Sequence, residues 1–195
     1  MQPISVVFFG SQGAGKGTQV QKLLEHLKKE NKRSFIHIDM GSELRAFRDL
    51  NNYTGKLIGE VVNQGNRIYD FVPVYLQTKK LFENIKTGDE DIIADGLARG
   101  REQTEAFDDM MKFYKREYCV IDLIVSDETS VKRLMARGRS DDTEEGIRRR
   151  LAWTKTDVLP QLELLKERNR TIHKIDGERD IETIHKDVLS VLGFH

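Results

Sequence analysis

The chain has 195 residues, 38% of them hydrophobic and 33% charged, and its 32 basic and 32 acidic side chains give a formal net charge of zero. This composition is typical of one domain with a buried core, and the balanced charge gives no general reason to expect nucleic acid or an anionic membrane as a partner. The single cysteine, Cys119, excludes an intrachain disulfide and a cysteine-rich zinc site. The early apolar run 4–9 has neither a basic flank nor a cleavage site, and no run reaches the about 18 residues of a membrane span. We therefore expect a cytoplasmic, single-domain monomer without structural zinc.

Short apolar runs alternate along the chain with longer segments of helical periodicity. The runs of strand length are 4–9, 34–39, 91–95, 119–125 and 171–176. The helical segments are about 15–30, 42–50, 54–64, 70–86, 101–116, 128–137, 143–168 and 179–192. This alternation predicts an α/β fold in which helices cover both faces of a mainly parallel, five-stranded sheet. Extra helical segments between the second and third strands predict a small helical insertion, and Pro160 should break or kink the segment that contains it.

The first predicted strand is followed by GSQGAGKGTQ, which is typical of a phosphate-binding loop between a strand and a helix. Glycines let successive backbone N–H groups point at phosphate oxygens, and the helix N-terminus and the lysine add positive charge. The strict pattern has Ser or Thr directly after the lysine, whereas here Gly17 comes before Thr18. The predicted loop residues are Gly10, Gly13, Ala14, Gly15, Lys16, Gly17 and Thr18.

The sequence GKGTQ in this context resembles the adenylate kinase family of nucleoside monophosphate kinases, and further motifs follow in order over nearly the whole chain. Gln12 stands where family members usually have proline. The resemblance implies the three-layer P-loop NTPase fold, with Mg²⁺ and ATP bound at the loop and Thr18 as a secondary candidate for contacting the metal. It divides the chain into a core, an acceptor-binding insertion and a minimal lid. The core is 1–40, 87–136 and 151–195, the insertion about 41–86 and the lid about 137–150.

The second strand is followed by an arginine that the resemblance assigns to the acceptor phosphate. Arg45 ends the stretch IDMGSELR, and its alternative role is a surface pair with Asp49. The resemblance also places Met40 and Gly41 in the acceptor site. Met40 replaces a threonine that helps to hold the acceptor base in the family, which weakens the prediction that this base is adenine.

The third strand runs into DIIADGLARGREQ, which resembles the DGFPR motif of the family followed by a glutamine. Asp95, at the strand tip, is placed to hold water on Mg²⁺, with a helix cap as the alternative. The resemblance makes Gly96 and Arg99 part of the acceptor site. Leu97 and Ala98 replace the aromatic residue and the proline, and we expect the loss of the proline to loosen this turn and alter acceptor preference or rate.

Gln103 stands where the family reads adenine. An amide can satisfy an adenine edge bidentately, so Gln103 favours AMP as the acceptor. Its alternative role is an exposed helix residue.

The helix before the lid carries Arg133 and Arg137 as i,i+4 neighbours, and neither has a carboxylate four residues before it. Stacked like charges are mildly unfavourable, which suggests an external anion. The resemblance assigns Arg133 to the donor adenine and Arg137 to its phosphates.

The lid is close to its minimum length, because Gly138 alone separates Arg137 from Arg139. Asp141 and Asp142 are expected to shape and cap the hinge, since Asp142 lies three residues before a glutamate, the spacing of a capping box.

Two kinds of arginine follow in the next helix. Arg150 has Gly146 at i−4 and shares a helical side with Ile147, so we predict that it turns away from the charged face and, like Arg137 and Arg139, seeks a phosphate. The resemblance independently selects Arg139 and Arg150 as phosphate arginines. The predicted catalytic set is Lys16, Arg99, Arg137, Arg139 and Arg150. The pairs expected to be solvated i,i+4 salt bridges are Glu144–Arg148 and Glu145–Arg149.

The resemblance implies direct in-line transfer of the γ-phosphoryl group of Mg·ATP to a nucleoside monophosphate, with nucleotides as the small-molecule partners. AMP is the leading acceptor because of Gln103. A CMP/UMP or deoxynucleotide kinase is the alternative that Met40 and the altered turn favour. Two further alternatives are a nucleotide-binding regulatory protein with weak turnover and a P-loop kinase for a small metabolite.

Overall fold

The computed structural model describes residues 2–30, 33–139 and 142–194, and within these residues five parallel strands form the central sheet in the order β2-β3-β1-β4-β5. The prediction of a five-stranded parallel sheet is thus confirmed, each strand lying within one residue of its predicted bounds. The strands are β1 (Ser5–Phe9), β2 (Phe35–Asp39), β3 (Asp91–Asp95), β4 (Cys119–Ile124) and β5 (Thr171–Asp176).

Most helices end within about three residues of the predicted bounds. Between β1 and β3 they are α1 (Lys16–Glu30), α2 (Met40–Arg48), α3 (Tyr53–Asn63) and α4 (Phe71–Asn84). After β3 they are α5 (Arg101–Phe113), α6 (Asp127–Arg137), α7 (Glu144–Trp153), α8 (Pro160–Glu167) and α9 (Ile181–Val191). Of these, α2, α3 and α6 begin one or two residues earlier than predicted. None of the helices in the described part of the chain has the length and apolar character needed to cross a bilayer.

The segment predicted as one helix over 143–168 is interrupted, as Pro160 led us to expect. A π-helical turn, Thr154–Val158, lies between α7 and α8, and in it the Leu159 amide donates to the Thr154 carbonyl at 2.9 Å. Pro160 is the first residue of α8, where its missing N–H leaves no helical bond unmade. The π-helical turn itself was not predicted.

Side chains of β1 alternate between the two faces of the sheet. Val6 and Phe8 pack with α1 and α9 on one face, whereas Val7 and Phe9 pack with the layer that includes α4, α5 and α8 on the other. All four side chains are buried, which is the pattern of a parallel strand covered on both faces. The sheet is therefore the middle of three layers.

Strand register brings the carboxyl ends of β1, β2 and β3 to one edge of the sheet. Asp95 pairs with Phe8 of β1 on one side and with Asp39 of β2 on the other. The loops that follow these three strands therefore open onto the same space, the usual position of ligands in open α/β sheets.

Candidate functional site

A cavity of about 880 Å³ lies at this edge of the sheet. Every residue that the sequence placed in a site lines it except Gly10, although their individual roles remain predictions. Cavities of this size hold small-molecule ligands.

The loop after β1 has the backbone shape that its glycines allow. Gly10 has φ +125° and lies so close to the Leu123 carbonyl oxygen of β4 that a Cβ there would overlap it. Gly13 and Gly15 also have positive φ. Gly10 therefore holds the loop against the sheet and does not face the cavity.

Lys16 turns back onto its own loop. It is buried, and its Nζ donates to the carbonyl oxygens of Gly10 and Ser11, each at 2.9 Å. Burial lowers the pKa of Lys16 to about 8, although the Asp95 carboxylate acts in the opposite direction. An arriving phosphate would thus meet a lysine that must exchange two carbonyl contacts for phosphate oxygens.

Asp95 fits a metal that arrives with a nucleotide. It ends β3, and one of its carboxylate oxygens lies 3.8 Å from the position that a Cβ on Gly17 would occupy, beside the first turn of α1. Mg²⁺ prefers oxygen ligands and commonly binds through one or two carboxylates, several waters and substrate phosphates. Asp95 can supply such a carboxylate through water, whereas Thr18 is exposed on α1.

Arg45 forms no surface pair with Asp49. Its Nη2 donates to the Ser42 hydroxyl at 2.9 Å, and Ser42 in turn donates to the Asp39 carboxylate that caps α2. Asp49 instead accepts from Arg48 at 2.8 Å. Arg45, on α2 shortly after β2 ends, therefore lines the cavity and is not held at the surface by Asp49.

Met40 is a core residue as well as a cavity residue. It is only 2% exposed and packs into the cluster that covers one face of the sheet. It therefore offers a ligand an apolar wall where the family has a threonine hydroxyl.

Arg99 and Gln103 form one unit. The Arg99 amide donates to Gln103 Oε1 at 2.9 Å, while Nε2 of the buried Gln103 has no hydrogen-bond partner among the described residues. The alternative role of Gln103, an exposed helix residue, is therefore wrong. Because Oε1 already accepts from Arg99, the amide nitrogen is the atom left for a ligand, which reduces the predicted bidentate contact with a base. The Arg99 guanidinium lies over the Trp153 ring, 5.8 Å from its centroid, and burial lowers the pKa of Arg99.

The turn that lacks the family proline adopts an unusual backbone. Ala98 is buried and has φ +55°, the left-handed region that residues other than glycine adopt rarely. Proline, whose ring fixes φ near −65°, could not take this conformation. The residue that replaces the proline thus has a backbone conformation that proline could not adopt. Contacts around Arg99 hold the turn in this conformation.

Two of the arginines predicted for the lid have a carboxylate partner, so the prediction that Arg137 and Arg150 lack one is wrong. Asp142 accepts from Arg137 Nε and Nη2, both at 2.8 Å, and from Arg150 Nη2 at 2.7 Å. Burial disfavours the charged form of Asp142, but these hydrogen bonds outweigh it and hold the pKa of Asp142 below its usual range. Two guanidinium groups thus share one buried carboxylate at the cavity wall.

The predicted capping box at Asp142 is also wrong. Thr143 caps α7 by accepting from the Gly146 amide at 3.1 Å, and the carboxylate of Asp142 is directed at the arginines instead. Asp141, predicted to shape the hinge with Asp142, lies outside the described residues.

The remaining arginines of α7 are as predicted. Arg150 is only 6% exposed and shares its face with the buried Ile147. The predicted surface pairs are confirmed, with N–O distances of 2.8 Å for Arg148–Glu144 and 2.6 Å for Arg149–Glu145.

Several cavity residues were missed by the sequence analysis. Arg67 and Asp70 pair at i,i+3 in the loop between α3 and α4, and Trp153 lies at the end of α7. Arg179, just before α9, and Ile181, its first residue, also line the cavity. A basic and an acidic residue inside an irregular loop have no periodic pattern by which a site could be predicted. The single tryptophan of the chain was the one unusual residue that could have indicated this part of the cavity.

Comparison with known proteins gives one consistent result. A family model described as adenylate kinase matches residues 8–170. An adenylate kinase of Prochlorococcus marinus (strain MIT 9211) is 31% identical over 189 residues, 96% of each chain. A uridylate kinase of Schizosaccharomyces pombe is 32% identical, over 96% of this chain and 97% of the relative. A uridylate kinase of Saccharomyces cerevisiae is 29% identical, over 95% and 89%.

Proposed function

This chain belongs to the adenylate kinase family and is a nucleoside monophosphate kinase, and we propose that AMP is its preferred acceptor and Mg·ATP its phosphoryl donor. The observation that carries the choice of acceptor is Gln103, which lines the cavity beside Arg99 and whose buried amide nitrogen has no hydrogen-bond partner in the part of the chain that the structure describes. Adenine N1 would satisfy this donor, as would an acceptor atom of a pyrimidine that reached the same place, and leaving the donor unpaired is costly in a buried site.

The donor site is proposed to be the loop after β1 and the start of α6. Its backbone N–H groups and Lys16 would hold the ATP phosphates, while Arg133 would cover the adenine and Arg137 would contact the phosphates. Bound with ATP, Mg²⁺ would neutralise charge on the β- and γ-phosphate oxygens, and Asp95 would hold it through water. Gly17 leaves the first turn of α1 open beside that carboxylate.

The acceptor site is proposed to lie across the same cavity. Arg45 and Arg99 would hold the monophosphate, and Gln103 would contact its base. Arginine suits this task because guanidinium groups make planar, bidentate contacts with phosphate and stay charged. A Cβ at Gly41 would lie 3.1 Å from the Arg45 guanidinium and one at Gly96 would lie 3.4 Å from the Arg99 guanidinium, so the two glycines leave room for these side chains.

Transfer itself is proposed to depend on positioning and charge neutralisation. The migrating phosphoryl group carries charge on its equatorial oxygens, so cations placed around it lower the barrier. Arg137, Arg139 and Arg150 line the cavity from the lid side, between the two proposed nucleotide sites. When they contact phosphate they would also exclude water, which limits hydrolysis of ATP.

We also propose the predicted division into core, acceptor-binding insertion (about 41–86) and minimal lid (about 137–150). A cytoplasmic monomer whose partners are nucleotides, without nucleic acid or membrane, remains our prediction from composition and charge. The balanced net charge supports this part of the proposal.

A pyrimidine monophosphate is the second candidate acceptor. Met40 places an apolar wall where the family has a threonine, and two of the relatives compared above are uridylate kinases.

Steady-state kinetics with Mg·ATP and AMP, CMP, UMP, GMP or dTMP ranks the acceptors. We expect kcat/KM to be highest for AMP, and to be about tenfold or more lower for any monophosphate whose base leaves Gln103 Nε2 unpaired. The Lys16→Met variant, assayed in parallel, should lose transfer to every acceptor and so ties the activity to this site. A higher kcat/KM for CMP, UMP or dTMP would contradict the choice of AMP.

Two binding measurements cover the remaining alternatives. Tight ATP binding without transfer to any monophosphate would support a regulatory protein. Weak binding of diadenosine pentaphosphate, which spans both nucleotide sites, would support a kinase for a small metabolite.

A further inference from the structure

The turn from Gly96 to Gly100 carries Arg99 but has a backbone that its own sequence does not favour. Ala98 sits in the left-handed region at φ +55°, a conformation that persists only when surrounding contacts enforce it. Arg99 is the next residue, so the direction of its side chain depends on this backbone. The contacts that enforce the turn are therefore part of what places Arg99 in the cavity.

One such contact comes from Arg67, in the loop between α3 and α4. Its Nε donates to the Arg99 carbonyl oxygen at 3.1 Å, and its Nη2 pairs with Asp70. Asp70 occupies the N-cap position of α4, but its carboxylate is directed at Arg67. The loop thus uses an acidic residue at a helix start to orient an arginine toward the turn.

Gly100 shows how closely this pair is fitted to the turn. A Cβ on Gly100 would overlap both the Arg67 guanidinium and the Asp70 carboxylate. The backbone of Gly100 is extended, with φ −156°, so any residue could adopt it. The glycine is required for space, because the ion pair lies directly on its α-carbon.

The same loop supports Arg99 from a second direction. The Gly65 carbonyl oxygen accepts from Trp153 Nε1 at 3.0 Å, and Arg99 lies over the ring of Trp153. The loop therefore contacts the main chain of Arg99 through Arg67. Through Gly65 it also contacts Trp153, whose ring packs against the Arg99 side chain.

We propose that Arg67, oriented by Asp70, is a positioning residue that clamps the Ala98–Gly100 turn and thereby places Arg99 for the acceptor phosphate. The inference rests on the proposed role of Arg99 in acceptor binding. It also makes the acceptor-binding loop between α3 and α4 part of the machinery that aligns the monophosphate.

Acceptor kinetics of Arg67→Met provide the test, with Arg99→Ala setting the size of a complete loss. We expect kcat/KM for the preferred monophosphate to fall about tenfold or more while KM for ATP stays within about twofold, since misplacing a phosphate contact affects only its own substrate. Lys80→Met is the matched control, because Lys80 forms another ion pair of this insertion, with Glu43 at 3.0 Å, and is 34% exposed against 30% for Arg67. That variant should leave both parameters within about twofold.

Two further variants separate positioning from general stability. Arg67→Lys keeps the charge but lacks the planar fork that reaches two partners, so it should recover only part of the acceptor kcat/KM. Gly100→Ala displaces the pair sterically and should reproduce the defect of Arg67→Met. The double variant should be no worse than either single variant, because both remove the same clamp.

Fluorescence of Trp153, the single tryptophan of the chain, reports on the turn without catalysis. Its emission should change in Arg67→Met and stay as in the wild type in Lys80→Met. An unchanged acceptor kcat/KM in Arg67→Met, beside an active wild type, would overturn the clamp while leaving the proposed function intact. A wild type that transfers to no monophosphate would instead defeat the proposed function, and an unchanged Trp153 emission would then decide against the clamp.

Discussion

Lys16 shows that a residue proposed to bind phosphate can make contacts of another kind in the free protein. In this structure its buried ammonium group donates to two carbonyl oxygens of its own loop, where phosphate oxygens are proposed to bind. Carbonyl oxygens carry only partial charge, so they compensate burial less well than a phosphate would. The free enzyme therefore holds this lysine at a pKa near 8, where its charge depends on pH.

ATP binding should consequently take up a proton above pH 8. At pH 8.5 most Lys16 side chains of the free enzyme are neutral because the pKa is about 8, whereas phosphate favours the ammonium form and raises that pKa. Titration calorimetry in buffers of different ionisation enthalpy should detect roughly half a proton or more per ATP at this pH. ATP affinity should also weaken as the pH rises through 8.

Lys16→Arg is the matched control for this prediction. A guanidinium stays charged throughout this pH range, so ATP binding to this variant should involve no proton uptake at the substituted position. The ATP affinity of the variant should also fall less between pH 7 and pH 9 than that of the wild type. Binding heats of the wild type that do not depend on the buffer at pH 8.5 would contradict the prediction.

At the scale of single residues, the sequence predicted which side chains meet but not how each one rests. The spacing that ends in Gly15 and Lys16 defines a loop and a cation, and both lie in the cavity. The positive φ of Ala98 and the contact of Arg67 with Arg99 depend on segments about thirty residues apart, and spacing rules describe only local neighbours.

At the scale of elements, the proposed lid is a short connection between two helices whose arginines share one carboxylate. Arg137 ends α6, Gly138 turns the chain at φ +65°, and Arg150 lies on α7. Leu134 of α6 and Ile147 of α7 are buried against each other in a small cluster. Asp142 thus joins Arg137 and Arg150, two cations that would otherwise repel each other.

The Asp142→Asn variant should destabilise this connection, and an anion should restore it. Removing one partner of a buried pair leaves uncompensated charge, and we expect a loss of about 3–5 kcal/mol in the free energy of unfolding. Phosphates of ADP or ATP can supply the missing negative charge. Ligand-induced stabilisation, measured as the rise in Tm with saturating ADP, should therefore be larger in this variant than in the wild type.

Glu144→Gln gives the control on the same helix. Its partner Arg148 is 68% exposed, and exposed pairs contribute about 0–1 kcal/mol, so Tm should change little with or without ADP. A smaller ADP-induced rise in Asp142→Asn than in the wild type would show that Asp142 does not occupy the place of a phosphate charge.

Sequence rules found the elements here and missed the link between them for a physical reason. Hydrophobic periodicity depends on burial along one helix, and it predicted both helices and the inward face of Arg150. A search for i,i+4 partners assumes continuous helix, whereas Asp142 follows the left-handed turn at Gly138 and reaches Arg137 from outside the helix. Partners across a turn are set by its geometry, which the spacing of charges does not contain.

At the scale of the whole molecule, α5 connects the Gly96–Gly100 turn with the edge of the sheet at which β4 and β5 begin. Its first turns hold Gln103, and its middle holds Asp108, which is fully buried. The Asp108 carboxylate accepts from Arg168 Nη1 at 2.9 Å and Arg170 Nε at 2.7 Å, beside the start of β5, and from the Tyr118 hydroxyl at 3.2 Å, before β4. Anchoring of α5 therefore couples the site to the stability of the fold.

Asp108→Asn should lower the free energy of unfolding by about 3–5 kcal/mol at pH 7, because the amide leaves the arginines around it without their shared charge. Burial opposes the charged form of Asp108, but hydrogen bonds from Lys112, Arg170 and Arg168 hold its pKa well below the usual range. A carboxyl group with a lowered pKa in the folded state stabilises above its unfolded pKa of about 3.9 and loses this contribution as the pH falls toward the folded value. Urea unfolding followed by Trp153 fluorescence should therefore show a large difference between variant and wild type in the free energy of unfolding at pH 7, and this difference should narrow below about pH 4.

Asp109→Asn is the control. It changes the neighbouring residue, which is 70% exposed, and should lower the free energy of unfolding by no more than about 1 kcal/mol. Equal losses in the two variants, or a difference that does not depend on pH, would show that Asp108 does not anchor α5 through its charge.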